Sequence, residues 1–212
     1  MEAFSPYLPG LILAHTAVLL ALMSPGPNIL AVIGTYMRIG RREGIALALG
    51  VACGTFLWVS LTVIGFTAVI ATYASVMVAL KILGGFYLLW LGYKALRSAA
   101  SARDVRTTVV SLDGKWRSYF LRGLTVQMTN PKAALAMIAI VSVGVHSNAP
   151  AWVGATLVAG TTSLSLCAHL LYAVTFSTRP MVVLYTRARR VIEAALGAFF
   201  CAMGIRLLTD RN

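Results

Sequence analysis

The stretch GLILAHTAVLLALMSPGPN, residues 10–28, decides how the rest of the chain is read. It is apolar and uncharged as far as Met23, then breaks at Ser24-Pro25-Gly26-Pro27-Asn28. Pro25 and Pro27 remove two amide donors, and Gly26 loosens the backbone between them. A proline inside a helix costs about 3 kcal/mol or more. In hydrocarbon, each carbonyl left unsatisfied adds a further penalty. An apolar helix broken here must therefore break where protein or a water-lined cavity receives its backbone.

The surrounding composition identifies the solvent. Of 212 residues, 59% are hydrophobic and 11% charged, with a mean hydropathy of +0.83. A soluble domain carries about 25% charged residues, so lipid must solvate most of these side chains. Six apolar segments are long enough to span it: 8–36, 44–71, 74–96, 120–145, 150–177 and 190–209. Their runs are continuous rather than alternating, which excludes a barrel and predicts helices. The first residues, Met1 to Pro6, lack a basic n-region and a cleavage site, so the first segment is expected to stay as a helix.

The net charge of +12 does not indicate a nucleic-acid partner. No basic module interleaved with aromatics is present, and the charge sorts by loop. Arg38, Arg41 and Arg42 fall in the first connector. Lys94, Arg97, Arg103, Arg106, Lys115, Arg117 and Arg122 fall in the third, and Arg179, Arg187, Arg189 and Arg190 in the fifth. The connectors near residues 71–73 and 146–150 have no formal charge. Six spans put the basic loops on one side, which the positive-inside rule makes cytoplasmic, with both termini outside. Basic residues there also meet anionic lipid. Residues 98–118 read as a flexible cytoplasmic linker, ending in an interfacial Trp116 and Tyr119 beside Lys115 and Arg117.

The two sides of that linker echo each other. Gly85, Tyr87, Gly92, Lys94 and Leu96 match Gly197, Phe199, Gly204, Arg206 and Leu208 in spacing. The Pro25 break is matched by Thr129-Asn130-Pro131-Lys132. A repeat of three helices inserts upside down the second time. The expected fold is thus an all-α membrane protein with six transmembrane helices. They form two inverted three-helix repeats, 1–97 and 119–212, in which the first and fourth helices are broken at proline motifs.

Broken helices expose useful groups. The half-helix after a break points amides and positive dipole into the cavity, which suits a carboxylate. Unwound carbonyls before it suit an ammonium. A zwitterionic amino acid carries both. The expected substrate-binding residues are Pro25, Gly26, Pro27, Asn28, Asn130, Pro131 and Lys132. Further polar residues within the spans are either packing residues or members of the path: His15, Thr55, Lys81, Gln127, Ser165 and His169. A histidine there has the right range to carry a coupled proton, and Lys81 is placed either to snorkel or to act. Only Glu43 and Glu193 approach the spans, both at expected helix ends, where Glu193 reads as solvated or paired. A neutral substrate therefore fits better than a basic one, although a basic amino acid stays as an alternative.

Gly40-x-x-x-Gly44, Gly50-x-x-x-Gly54 and Gly84-Gly85 predict close helix approach. Cys53, Cys167 and Cys201 form no Cys-x-x-Cys pair and read as small buried hydrophobes. No metal-ligand, cofactor or hydrolase pattern is present, which argues against an enzyme. A membrane thiol–disulfide carrier on a related scaffold would need reactive cysteines beside the breaks, and none adjoins Pro25, Pro27 or Pro131.

Taken together, these residues resemble the LysE/RhtB family of amino-acid exporters over nearly the whole chain. The match rests on Ser24 to Asn28, Gly44 to Gly54, and Lys81 to Gly92. It continues through Phe120 and Gly123, Asn130-Pro131-Lys132, and Arg190 through Gly197 to Gly204. The resemblance implies a bacterial inner-membrane protein exporting amino acids, driven by protons. Its partners would be a small amino acid, protons and lipid, with homo-oligomer formation left open. Many relatives carry an acidic residue after the second-span glycine, whereas Thr55 follows Gly54 here.

Overall fold

The computed structural model of the chain describes residues 6–23, 27–72, 74–101, 115–144, 149–175 and 179–209. Within them, side chains are described except at 27, 66–72, 74–81, 131 and 179–186. All the regular structure in these residues is helical. The first apolar segment forms α1 (Leu8–Met23) and α2 (Pro27–Arg38), whose axes bend by 48°. The fourth forms α5 (Trp116–Met128) and α6 (Pro131–Gly144), bent by 61°. Pro27 and Pro131 each open the second half-helix, where the missing N–H would have no partner in any case. The remaining helices are α3 (Arg41–Thr72), α4 (Ala74–Ala100), α7 (Ala151–Thr175) and α8 (Arg179–Thr209).

Three described stretches are individually long and apolar enough to cross a membrane: Arg41–Gly65, Ala151–Thr175 and Arg187–Thr209. Counting each bent pair as one span brings the number to five. The outward faces are apolar, with Ile64, Leu83, Phe86, Leu171 and Val191 exposed. Water would penalise such a surface, and lipid does not.

Glycines set the closest helix contacts. A Cβ on Gly50 would collide with the Phe120 carbonyl, and one on Gly123 with the Leu47 carbonyl. α3 and α5 therefore touch at backbone distance. In α4 and α8 the order is crossed: Gly85 lies on Gly204 and Gly92 on Gly197. The two helices are consequently antiparallel. Gly40 has a different role from the packing expected of it. Its φ of 155° closes the α2–α3 turn in a region L side chains rarely adopt.

Three other expectations are corrected. Arg187, Arg189 and Arg190 are not in a loop, because α8 begins at Arg179. Lys94 and Arg97 likewise extend α4, and Arg117 and Arg122 lie in α5. Arginine and lysine are good helix formers, so the helices continue past the apolar stretch that hydropathy detects. Of the two readings of Glu193 the paired one holds, but the residue is neither terminal nor solvated. It is buried within α8 and paired with Arg189 at 3.0 Å, while Arg189 reaches Ser98 Oγ of α4 at 2.8 Å. Finally, Cys167 is exposed on the apolar surface, and Cys53 and Cys201 are half-buried rather than buried. A thiol is apolar enough to face lipid. Most of the linker, residues 102–114, lies outside the described residues.

Candidate functional site

The two breaks converge on one cavity. It lies among α1, α2, α3, α5, α6 and α7 and has a volume of about 80 Å³. Asn28, Thr55, Gln127, Asn130, Lys132, Thr161, Ser165 and His169 supply its polar side, and its apolar wall includes Val18, Leu22, Ile29, Ala136, Met137 and Ile140.

Asn130 organises the second break. Its Oδ1 accepts the Lys132 amide at 3.0 Å, and its carbonyl accepts those of Ala133 at 3.0 Å and Ala134 at 3.2 Å. It is the N-cap of α6. Because Pro131 has no amide, this capping satisfies the first turn from within. The free amides expected at this half-helix are already taken. What remains for an anion is the positive end of the helix and the Lys132 side chain on the cavity wall.

Described carbonyls beside both breaks also have donors. Trp58 Nε1 donates to Gln127 O at 3.2 Å, and Asn130 N reaches the same oxygen at 3.3 Å. Tyr172 OH donates to Leu22 O at 3.1 Å in the last turn of α1. Tyr87 OH donates to Lys132 O at 2.9 Å and ties the start of α6 to α4. Side chains from neighbouring helices thus supply the partners that hydrocarbon lacks.

From Asn130 a continuous chain of hydrogen bonds crosses the molecule. Asn130 Nδ2 donates to Asn28 Oδ1 at 3.3 Å, and Asn28 Nδ2 donates to Gln127 Oε1. Gln127 Nε2 donates to Thr55 Oγ1 at 2.9 Å. Thr55 gives its proton to Val51 O at 3.1 Å, so at 3.0 Å the Ser165 hydroxyl is the donor to Thr55. His169 Nδ1 lies 2.7 Å from Ser165 O and 3.4 Å from Ser165 Oγ. A carbonyl only accepts, so Nδ1 carries the ring proton and Nε2 is the basic nitrogen of the neutral ring. Four helices, α2, α3, α5 and α7, and the α5–α6 break contribute to this chain.

Seven residues singled out from the sequence meet here: Asn28, Thr55, Gln127, Asn130, Lys132, Ser165 and His169. His15 does not line the cavity. Its Nδ1 bonds Leu11 O at 2.8 Å, its ring packs on Gly160, and its buried Nε2 has no partner. Pro25 and Gly26 lie outside the described residues, as do the side chains of Pro27, Lys81 and Pro131.

Thr161 was not singled out from the sequence, and a signal for its helix was present. Gly44, Gly50 and Thr55 recur with the same spacing as Gly154, Gly160 and Ser165, each 110 residues later. That register aligns α3 with α7 and makes Val51 the counterpart of Thr161.

The profile of a family described as LysE type translocator matches residues 19–211. The threonine efflux protein of Escherichia coli K12 is 32% identical over 91% of this chain and 94% of its own. The leucine efflux protein of Klebsiella pneumoniae is 28% identical over 89% of each. The uncharacterized membrane protein YahN of Escherichia coli K12 is 29% identical over 88% of this chain and 83% of its own. No solved structure matches. With helices fit to cross a membrane, a cavity between two broken helix pairs and a family match over most of its length, this chain belongs to the LysE type translocator family.

Proposed function

We propose that this protein exports a small neutral amino acid across the bacterial cytoplasmic membrane in exchange for protons. It does so with six spans arranged as two inverted halves. The observation that carries this reading is the cavity in which both breaks and Lys132 meet. The substrate carboxylate lies toward Lys132 and the positive end of α6. The amide oxygens of Asn28 and Asn130 are within the same cavity for the ammonium.

Size supports a small substrate. Each water-sized occupant needs about 10–15 Å³ of such volume, so the cavity takes roughly five to eight of them. That is about the heavy-atom count of a threonine-sized amino acid. Charge supports a neutral one, since no carboxylate is among the described residues lining the cavity. The relatives named for threonine and leucine efflux agree with both. The antiparallel α4–α8 pair and the Thr55–Ser165 contact support inverted halves. The basic residues at the α2–α3 turn, the end of α4, the start of α5 and the first half of α8 support a cytoplasmic placement of those ends, with the termini outside. Among the described lining residues His169 and Lys132 are the basic titratable groups, and the proton exchange is assigned to this polar chain.

The test uses inside-out proteoliposomes containing the purified protein and a panel of labelled amino acids, with an acidic interior. Concentrative uptake of a small neutral amino acid, abolished by collapsing the pH gradient and by Lys132→Ala, is the expected result. Uptake of lysine or arginine alone would overturn the substrate reading. Uptake indifferent to the gradient would overturn proton exchange.

A further inference from the structure

Thr161, Ser165 and His169 are four residues apart and lie on one face of α7, all on the cavity wall. Two of the three are accounted for. Ser165 donates to Thr55 and His169 is held by the Ser165 carbonyl. Thr161 is fully buried, at 0% exposure, and its Oγ1 has no hydrogen-bond partner.

That is unusual for a threonine in a helix. Its hydroxyl ordinarily bonds the carbonyl one turn back. Thr16, Thr62, Thr125 and Thr156 all do so here, at 2.7–2.9 Å. Thr162 also lacks a partner, but it does not line the cavity. A buried hydroxyl without a partner is a standing penalty, and Thr161 carries it on the wall of the cavity, where a bound molecule can supply the partner.

We propose that Thr161 is the specificity-determining residue of this cavity, pairing with a hydrogen-bonding group on the substrate's side chain. The proposal rests on the amino-acid reading above. With the carboxylate toward Lys132, the side chain extends toward α7. A substrate hydroxyl there satisfies Thr161. A methyl in its place leaves Thr161 buried and unpaired, and a site built to hydrogen-bond rejects the analogue that lacks the group. The apolar wall contributes equally to both and cannot discriminate between them.

The experiment compares isosteric pairs in proteoliposomes: threonine against valine, and homoserine against norvaline. The wild-type protein is expected to prefer the hydroxyl member of each pair by roughly tenfold in kcat/KM. Thr161→Val should bring that ratio close to one while valine transport persists, and Thr161→Ser should keep it. A wild-type protein that handles both members equally overturns the proposal, and so does a Thr161→Val protein with an unchanged ratio. If Thr161→Val does not insert, stabilisation of the detergent-solubilised wild type by threonine and by valine makes the same comparison: stronger stabilisation by threonine is expected, and equal stabilisation overturns the proposal. A wild-type protein that carries none of the four overturns the substrate reading itself, so the two failures are distinguishable.

Discussion

The side chains of Thr55 and Ser165 meet at 3.0 Å although α3 and α7 belong to different halves of the chain. The two residues occupy the same place in the Gly-Gly-hydroxyl spacing of their helices. Their contact joins the amide cluster of the breaks to His169. Thr55→Val should leave both Gln127 Nε2 and the Ser165 hydroxyl without an acceptor. The expected cost is about 2 kcal/mol in thermal unfolding in detergent, with transport reduced at least tenfold. Adding Ser165→Ala should cost less than the sum of the single changes, because the groups share one network. Additive losses would show that the contact is incidental.

Asn130 separates capping from recognition. Asn130→Asp keeps an oxygen for the Lys132 amide but removes the Nδ2 donor to Asn28. Asn130→Ala removes both and should lower stability by about 1 kcal/mol. The Asp variant is expected to recover that stability and to remain defective in uptake. Recovery of transport together with stability would mean that Asn130 acts only as a cap.

The α3–α5 seam predicts a contrast between two glycines of one helix. Gly50→Ala puts a Cβ against the Phe120 carbonyl, and the resulting shift should destabilise by about 1–3 kcal/mol. Gly65→Ala meets nothing within 4 Å, and alanine gains up to about 1 kcal/mol of helix propensity over glycine. Unfolding midpoints should therefore move in opposite directions.

Glu193 and Arg189 form an ion pair that is nearly closed to solvent. Glu193→Ala leaves the guanidinium buried without its carboxylate, at a cost of about 3 kcal/mol or more. Replacing both by Met and Leu should recover most of that stability. If the single and double variants unfold together, the pair is not buried in the membrane-embedded protein.

Much of this was legible in the chain before its fold was known, for identifiable reasons. Proline marks backbone geometry directly, so Pro27 and Pro131 announced the starts of α2 and α6 and drew attention to Asn28, Asn130 and Lys132. Apolar length announced the long helices. Helix ends were less legible, because Arg187, Arg189 and Lys94 read as loop charges while their backbone propensity kept α8 and α4 helical. Thr161 was not legible at all as a cavity residue. A hydroxyl within an apolar helix almost always bonds its own backbone, and the exception depends on tertiary packing that local sequence does not carry. The cap formed by Asn130 was likewise hidden, since the same residue type beside a proline could equally have left the amides open.

The glycines described at the α3–α5 seam have a mechanical consequence. Gly50 and Gly123 bring two backbones into contact, with no side chain between them to change rotamer. Across the molecule, Gly160 of α7 meets the imidazole of His15 instead. A joint made of backbone is stiff in shear, whereas one made through a ring can slip by a rotation about χ1. The two joints therefore differ in compliance: α3 and α5 are held backbone to backbone, whereas α1 and α7 meet through a ring.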